Sequence, residues 1–383
     1  VAGSWPMPNP AVDGKADVFA LALTLREVLE PGTMPELPQS DADVEGFLRR
    51  RAEEPIPGFK NRSLRYLRKS FARWLHPDPE QRPTADEFRK ELEVLLQTVL
   101  GAWPLTAEER LAFPERLRAT LVKSAREARR RTSWVRPDPA VEAEIVERGQ
   151  DLLEALDTTD FGRQLAALQR ELEFLGAING LSQLVLQLAA PGVCDVYQGT
   201  EGWDLALVDP DNRRPVGFTA RRHRLAALLR RFDAAPRTLL PELREQWRNG
   251  RIKTHVLAHG LRLRRDRPGP FLAGSVVPVD TRLGSPHQHL QVLVRRFGDT
   301  WVAAVAARRV AGLLPPALDG RVDAPERWPL RERWAGASVH LPPEAPSSWR
   351  DVLTGHELWA EDGVLAVPAI LAELPVALLC AGP

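Results

Sequence analysis

The sequence predicts an α/β chain that closes in an antiparallel β region, and three observations carry that reading. Arg-bearing amphipathic stretches fill the middle from about Gln97. A short β-branched run, Val193 to Tyr197, follows the breaker Pro191-Gly192. Beyond Pro270 the apolar residues alternate, as they do along half-buried strands. At roughly 150 residues per domain, 383 residues make two or three domains.

Element by element, Ala16 to Glu30 reads as a helix apolar nearly all round, which belongs inside a domain, and Pro31-Gly32 stops it. A second helix spans about Ser63 to Leu75, with Leu64, Leu67, Phe71 and Trp74 on one face. Thr84 and Glu87 form a capping box for a third. Thr106 and Glu109 repeat that pattern, and helices are predicted over 107–131, 140–156, 161–177, 180–189, 219–232, 238–248 and 251–265. Leu290, Val292 and Val294 alternate before Gly298-Asp299, and Trp301 to Val305 answers as the second arm of a hairpin. Short strands near 337–341, 349–353, 364–367 and 375–380 follow, with turns at Thr354-Gly355 and Asp362-Gly363.

Composition narrows the function classes. Fifty-two basic residues against 51 acidic ones leave a formal charge of +1, which gives no electrostatic reason to expect a nucleic acid or an anionic membrane as partner. Hydrophobic content of 44% excludes a disordered chain. Two cysteines, Cys194 and Cys380, build neither a disulfide framework nor a cysteine-only zinc site, and read as buried thiols of a reducing cytoplasm. No apolar run reads as a membrane span of about 20 residues. The first residue is Val, so the chain reads as starting at an alternative codon or as a piece of something longer.

Several local patterns have chemical potential. Asp195, Glu201, Asp204, Asp209 and Asp211 cluster within one loop region, where a carboxylate pair could do acid–base work. The competing reading has them as loop residues paired with Arg213 and Arg214. The Arg126 to Arg131 cluster reads as a solvated helix face. His287-x-His289 has metal-like spacing without an evident third ligand, and no Gly-x-Ser-x-Gly stands in the chain to suggest a serine hydrolase. No cofactor is expected.

Two family resemblances enter on longer runs. Asp13-Gly14-Lys15-Ala16-Asp17-Val18-Phe19 and Leu75-His76-Pro77-Asp78-Pro79-Glu80-Gln81-Arg82-Pro83 resemble the end of a serine/threonine protein kinase C-lobe. The resemblance gives Asp17 and Arg82 bracing roles, although Met7-Pro8-Asn9-Pro10 stands where the partner glutamate of Arg82 belongs. The phosphate-binding and metal-binding parts of a kinase precede this segment, so no phosphotransfer is expected.

From about Leu95 onward the chain resembles the last part of a maltooligosyltrehalose synthase of the α-amylase superfamily. The runs are Leu96 to Leu105, Lys123 to Trp134, Pro191-Gly192-Val193-Cys194-Asp195-Val196-Tyr197-Gln198-Gly199-Thr200-Glu201, Leu207 to Val216, and Trp349-Arg350-Asp351-Val352-Leu353-Thr354-Gly355. Departures stand at Cys194, Arg129-Arg130-Arg131 and Gly202. The implied architecture is a kinase-like helical remnant over 1–93, the last units of a (β/α)8 barrel over 94–268, and an antiparallel β-sandwich over 269–383. Val193 to Tyr197 would be the final barrel strand.

The implied activity converts the reducing-end α-1,4 bond of a maltodextrin to an α,α-1,1 bond. A retaining transfer of this kind needs two carboxyl groups about 5–5.5 Å apart. In this superfamily they lie on earlier barrel strands, so this chain alone is expected to lack them. Substrate contacts implied for a maltooligosaccharide are Lys123, Arg126, Glu127, Trp134, Asp195, Gln198, Glu201 and Trp203. A partial barrel exposes sheet edges, so a complementing chain or self-association is expected. The alternative is a non-catalytic glucan-binding protein with a kinase-like docking segment.

Overall fold

The computed structural model describes residues 97–282, 289–315 and 327–382. The three helices expected before residue 93, the kinase-like runs and His287 lie outside the described residues. The chain divides into two compact units, one holding residues up to 166 and 205–213, the other 167–204 and 214–383.

In the first unit, helix α1 (Ala107–Ala128) starts where Thr106 accepts a hydrogen bond from the Glu109 amide at 3.3 Å, the cap predicted from sequence. It ends three residues earlier than predicted because Arg129 adopts a left-handed conformation (φ 53°). Helix α2 (Pro139–Thr158) packs against it, and Phe113 and Leu117 join Val99, Ala102 and Leu207 in a buried cluster. Arg116, also buried, forks onto Asp211 at 2.9 and 3.1 Å and reaches the Leu205 carbonyl, fastening loop 205–213 to α1.

Helix α3 (Asp160–Ala189) is one 30-residue helix where two were predicted. The gap left between the two, Ile178-Asn179, is helical, and Gly180 sits against the Trp203 ring, where a Cβ would stand 3.3 Å from the indole. Its Gly162–Ala189 stretch is long and apolar enough to cross a membrane, contrary to the reading of the apolar runs in the sequence. Half of that stretch is buried inside the protein, where Phe174, Ile178, Leu181 and Leu188 form core.

In the second unit, α4 (Phe218–Ala234), α5 (Pro236–Glu245) and α6 (Arg251–Asp266) follow α3, and a short α7 (Gly269–Leu272) leads into the sheets. Phe174 meets Trp328 edge-on at 5.1 Å and Trp247 at 6.0 Å, filling the space between these elements. Val193 to Tyr197, expected as a strand, forms none. It has no ladder partner among the described residues; Gln187 donates to the carbonyl of Asp195 at its middle and Arg264 to that of Gly192 just before it.

The β region has two antiparallel sheets. The larger runs β1-β3-β4-β9-β6-β7, from β1 (Ser275–Val277), β3 (Leu290–Phe297), β4 (Thr300–Ala307), β6 (Ser348–Asp351), β7 (Glu357–Trp359) and β9 (Val376–Ala381). The smaller runs β2-β5-β8, from β2 (Asp280–Arg282), β5 (Ser338–His340) and β8 (Val364–Ala366). The β3–β4 hairpin turns at Gly298-Asp299 as predicted, pairing Phe297 with Thr300. β4 lies between β3 and β9, so seven of its eight residues are buried.

After β6 the chain makes a tight turn around a buried carboxylate. Asp351 accepts hydrogen bonds from the Leu353 and Leu378 amides at 3.1 and 3.2 Å and from the Thr354 hydroxyl at 2.8 Å. The Leu353 carbonyl lies 2.7 Å from His255 Nε2 on α6, so this turn joins sheet to helix. Burial pushes the Asp351 carboxyl up to about 6, against the hydrogen bonds that favour its charge. Burial pushes His255 down to about 4 and His259 to about 3.

The signs oppose. Stability from the raised Asp351 is present below its unfolded value of 3.8 and lost as pH rises through about 6. Stability from the two depressed histidines is present above 6.5 and lost as pH falls through about 4 and 3. Asp351→Asn removes only the first contribution. Between pH 4.5 and 6, urea midpoints of the variant should therefore rise more steeply with pH than those of the parent, by the equivalent of about one proton. Parallel slopes would show that Asp351 does not hold its proton in the fold. Gly260 lies on the face of α6 against α3, where an added Cβ would stand 2.5 Å from Leu188 Cδ1. Gly260→Ala should cost about 1–3 kcal/mol in the same measurement.

Candidate functional site

The sequence-predicted substrate residues fall into two sets, one in each unit. Lys123, Arg126, Glu127 and Trp134 belong to the first unit, and Asp195, Gln198, Glu201 and Trp203 to the second.

In the first set, Arg126 and Glu127 project from the last turn of α1. Arg126 forks onto Glu142 with two 2.8 Å hydrogen bonds, and Thr132 donates to the same carboxylate at 2.7 Å. Those hydrogen bonds, Arg126 first and Thr132 second, hold Glu142 down at about 2. The guanidinium also lies 4.9 Å from the Trp134 ring centroid, leaving the indole 57% exposed. Glu127 pairs with Lys123 at 3.6 Å, one helical turn back. Arg126 and Glu127 thus take separate partners instead of pairing with each other. An exposed indole steadied from one side by a fixed guanidinium is a surface on which a sugar face can stack.

In the second set, Asp195 and Gln198 are exposed. The loop turns at Gly199 (φ 95°). Glu201 then pairs with Arg221 on α4 at 3.0 Å, and its carbonyl accepts from the Thr254 hydroxyl at 2.9 Å. Trp203 donates from its indole nitrogen to the Trp247 carbonyl at 2.6 Å and meets the Trp247 ring edge-on at 6.4 Å. Lys253 lies 5.7 Å from its ring centroid, with its pKa lowered by burial against the pull of Asp204 and Glu201. Gly250 (φ 76°) lets α6 start directly under this loop, since a Cβ there would stand 3.0 Å from the Trp203 amide. Trp203 is therefore held from several sides, while Trp134 is open.

Beside Glu201 lies a groove of about 430 Å³ between α4 and α6, floored by Leu225, Leu228 and Leu257 and edged by Arg221 and Arg251. Phe218 and Leu261 stand exposed at its margins. Arg221, Thr254 and Lys253 were not legible as site residues. They reach the Glu201–Trp203 loop from helices that follow it in sequence, and no spacing pattern connects them.

The other carboxylates of the cluster are mostly engaged by arginines. Asp204 lies 3.8 Å from Arg214, Asp209 pairs with Arg213, and Asp211 with Arg116. The expected pairing with Arg213 and Arg214 is thus what Asp209 and Asp204 do. His289 packs its Nδ1 2.9 Å from the Arg309 carbonyl, and no cluster of metal-ligating side chains exists among the described residues. Both cysteines are free and only partly buried, with burial raising each thiol pKa.

The Arg126–Glu142 bond makes a direct prediction. In Arg126→Gln, the Glu142 carboxyl carbon, followed by NMR, should titrate well above its parent midpoint of about 2, back toward the ordinary value of 4.5. An unchanged midpoint would assign the shift to Thr132 alone.

No family model matches the chain. It is 33% identical over 287 residues, 75% of its length, to two proteins of Mycobacterium tuberculosis strains named "Putative maltooligosyl trehalose synthase". It spans 31% of those relatives. Among solved structures, maltooligosyltrehalose synthase from Arthrobacter ramosus matches 88% of this chain and 40% of its own, with 31% identity and a TM-score of 0.54. A mutant of the same protein matches at 32% identity and the same TM-score, over 82% of this chain and 36% of its own. Over three quarters of its length, this chain is homologous to maltooligosyltrehalose synthase.

Proposed function

We propose that residues 94–383 form the C-terminal share of a maltooligosyltrehalose synthase and that each of the two units contributes saccharide contacts. The observation that carries the reading is the 33% identity over 287 residues to proteins of that printed name. The activity is the conversion of a reducing-end α-1,4 bond of a maltodextrin to α,α-1,1. In this reading Trp134 stacks on a glucosyl ring and Lys123, Arg126 and Glu127 order the turn that presents it. Asp195, Gln198 and Glu201 hydrogen-bond hydroxyls, and Trp203 sets the position of their loop.

Bond exchange requires an ionised nucleophile beside a protonated acid at about 5–5.5 Å. Glu201, Asp204, Asp209 and Asp211 each have an arginine as ion-pair partner. The chain spans 31% of the relatives it matches, and we assign the bond-breaking acids to the part of the family protein that it does not span, supplied by a complementing partner or a longer form. The domain reading is a kinase-like helical segment over 1–93, barrel-derived helices over 94–268 and a β domain over 269–383. The change from α7 to β1 at Ser275 supports the last boundary.

The purified 383-residue chain should leave the reducing ends of maltohexaose intact and should be retained on amylose resin. Trp134→Ala should abolish retention. Formation of a non-reducing product would overturn the assignment of the acids, and a parent chain that passes through amylose unretarded would overturn the saccharide contacts.

A further inference from the structure

A second groove, of about 480 Å³, lies in the second unit where the C-terminal turns of α6 face the β6 and β9 strands. Its charged lining is Asp233, Arg262, Asp266, Arg267 and Arg350, with His259 beneath them. Asp266 is already engaged by Arg265 at 2.7 Å. The side chains of Arg262 and Arg267 make no hydrogen bond or close ion pair among the described residues, although their charges help hold the Asp266 carboxyl pKa down after its bond from Arg265, and Arg350 reaches Glu357 only at 3.9 Å. The groove thus gathers three guanidinium groups against two carboxylates, Asp233 and Asp266.

His259 is 7% exposed, and its Nε2 is buried without a hydrogen-bond partner. The ring packs against Phe232 at 4.3 Å and His255 at 4.5 Å. A buried polar nitrogen left unpaired is costly, and in a native fold it calls for a partner. Guanidinium forks match the oxygens of a phosphate, and a groove of this size also has room for a small substituent on it.

We propose that this groove binds a small phosphorylated ligand, with its phosphate oxygens held by Arg262, Arg267, Arg350 and His259 Nε2. The imidazole enters as a neutral group, since burial first, then His255 and Arg262, hold its pKa down at about 3. With its proton on Nε2 it donates to a phosphate oxygen. Asp233 stands at the same groove and favours ligands whose remaining surface carries hydroxyls over a second anionic group.

Isothermal titration calorimetry on the 383-residue chain tests this, with inorganic phosphate, glucose 6-phosphate and glucose as probes in a buffer free of other oxyanions. Saturable binding of either phosphorylated probe is expected, with none for glucose. A tighter ester than free phosphate would identify a sugar phosphate as the source of the group, and equal affinities a free phosphate. Arg262→Gln and Arg350→Gln change side chains outside the core and should each weaken binding at least about tenfold, while Arg130→Gln in the exposed turn after α1 should not. Absence of saturable binding, equal response to glucose, or unchanged affinity in both groove variants would overturn the proposal.

Discussion

The carboxylate of Asp351 is the point on which the second unit is organised. It is 1% exposed, and a group so buried persists only where donors replace the water it has lost. Three do: two backbone amides and the Thr354 hydroxyl. One amide belongs to its own turn and the other to β9, so satisfying a single side chain fixes the spacing of β6 from its neighbour. The same turn presents the Leu353 carbonyl to His255, and α6 is thereby placed against the sheet. From α6, Gly260 admits Leu188 of α3, and Thr254 and Lys253 reach the Glu201–Trp203 loop. Both grooves of this unit have α6 as a wall.

Arginine is the residue that most of this structure uses to make long-range polar bonds. The sequence holds few lysines, and its excess of arginine reads as compositional bias. The planar fork is nevertheless used throughout: Arg116 on Asp211, Arg126 on Glu142, Arg231 on Glu242 and Arg327 on Glu171. Arg327 is almost wholly buried, and it ties the start of the segment from 327 to α3. A lysine at these places offers one point charge where the geometry uses two parallel donors.

Much of the secondary structure was legible because its signals are local. Thr106 caps α1 as its spacing with Glu109 indicates, and Gly298-Asp299 marks the hairpin between two alternating runs. What was not legible depends on partners distant in sequence. The small side of Gly180 has no evident use until Trp203 is seen against it. Val193 to Tyr197 has the composition of a strand, but composition cannot supply the neighbouring strands that a ladder requires. β1 and β2 are three residues each and are set by pairing with β3 and β5, which lie further along the chain. In the candidate site the same division holds. Trp134 and Arg126 belong to one continuous run, whereas Glu142, which fixes Arg126, lies on the next helix. Glu201 and Trp203 are near neighbours in sequence, but Arg221, Thr254 and Trp247 come from later elements.

The Arg116–Asp211 fork spans 95 positions of chain, and the loop carrying Asp211 belongs to the same compact unit as α1 although the segment 167–204 intervenes. A polypeptide emerges from its N-terminal side, so α1 is made well before the group that neutralises its guanidinium. Until residues 205–213 arrive, Leu207 is missing from the cluster around Phe113 and Leu117, and Arg116 keeps its water. The first unit is consequently finished out of chain order, its closing piece delivered only after the long helix α3 has already been synthesised.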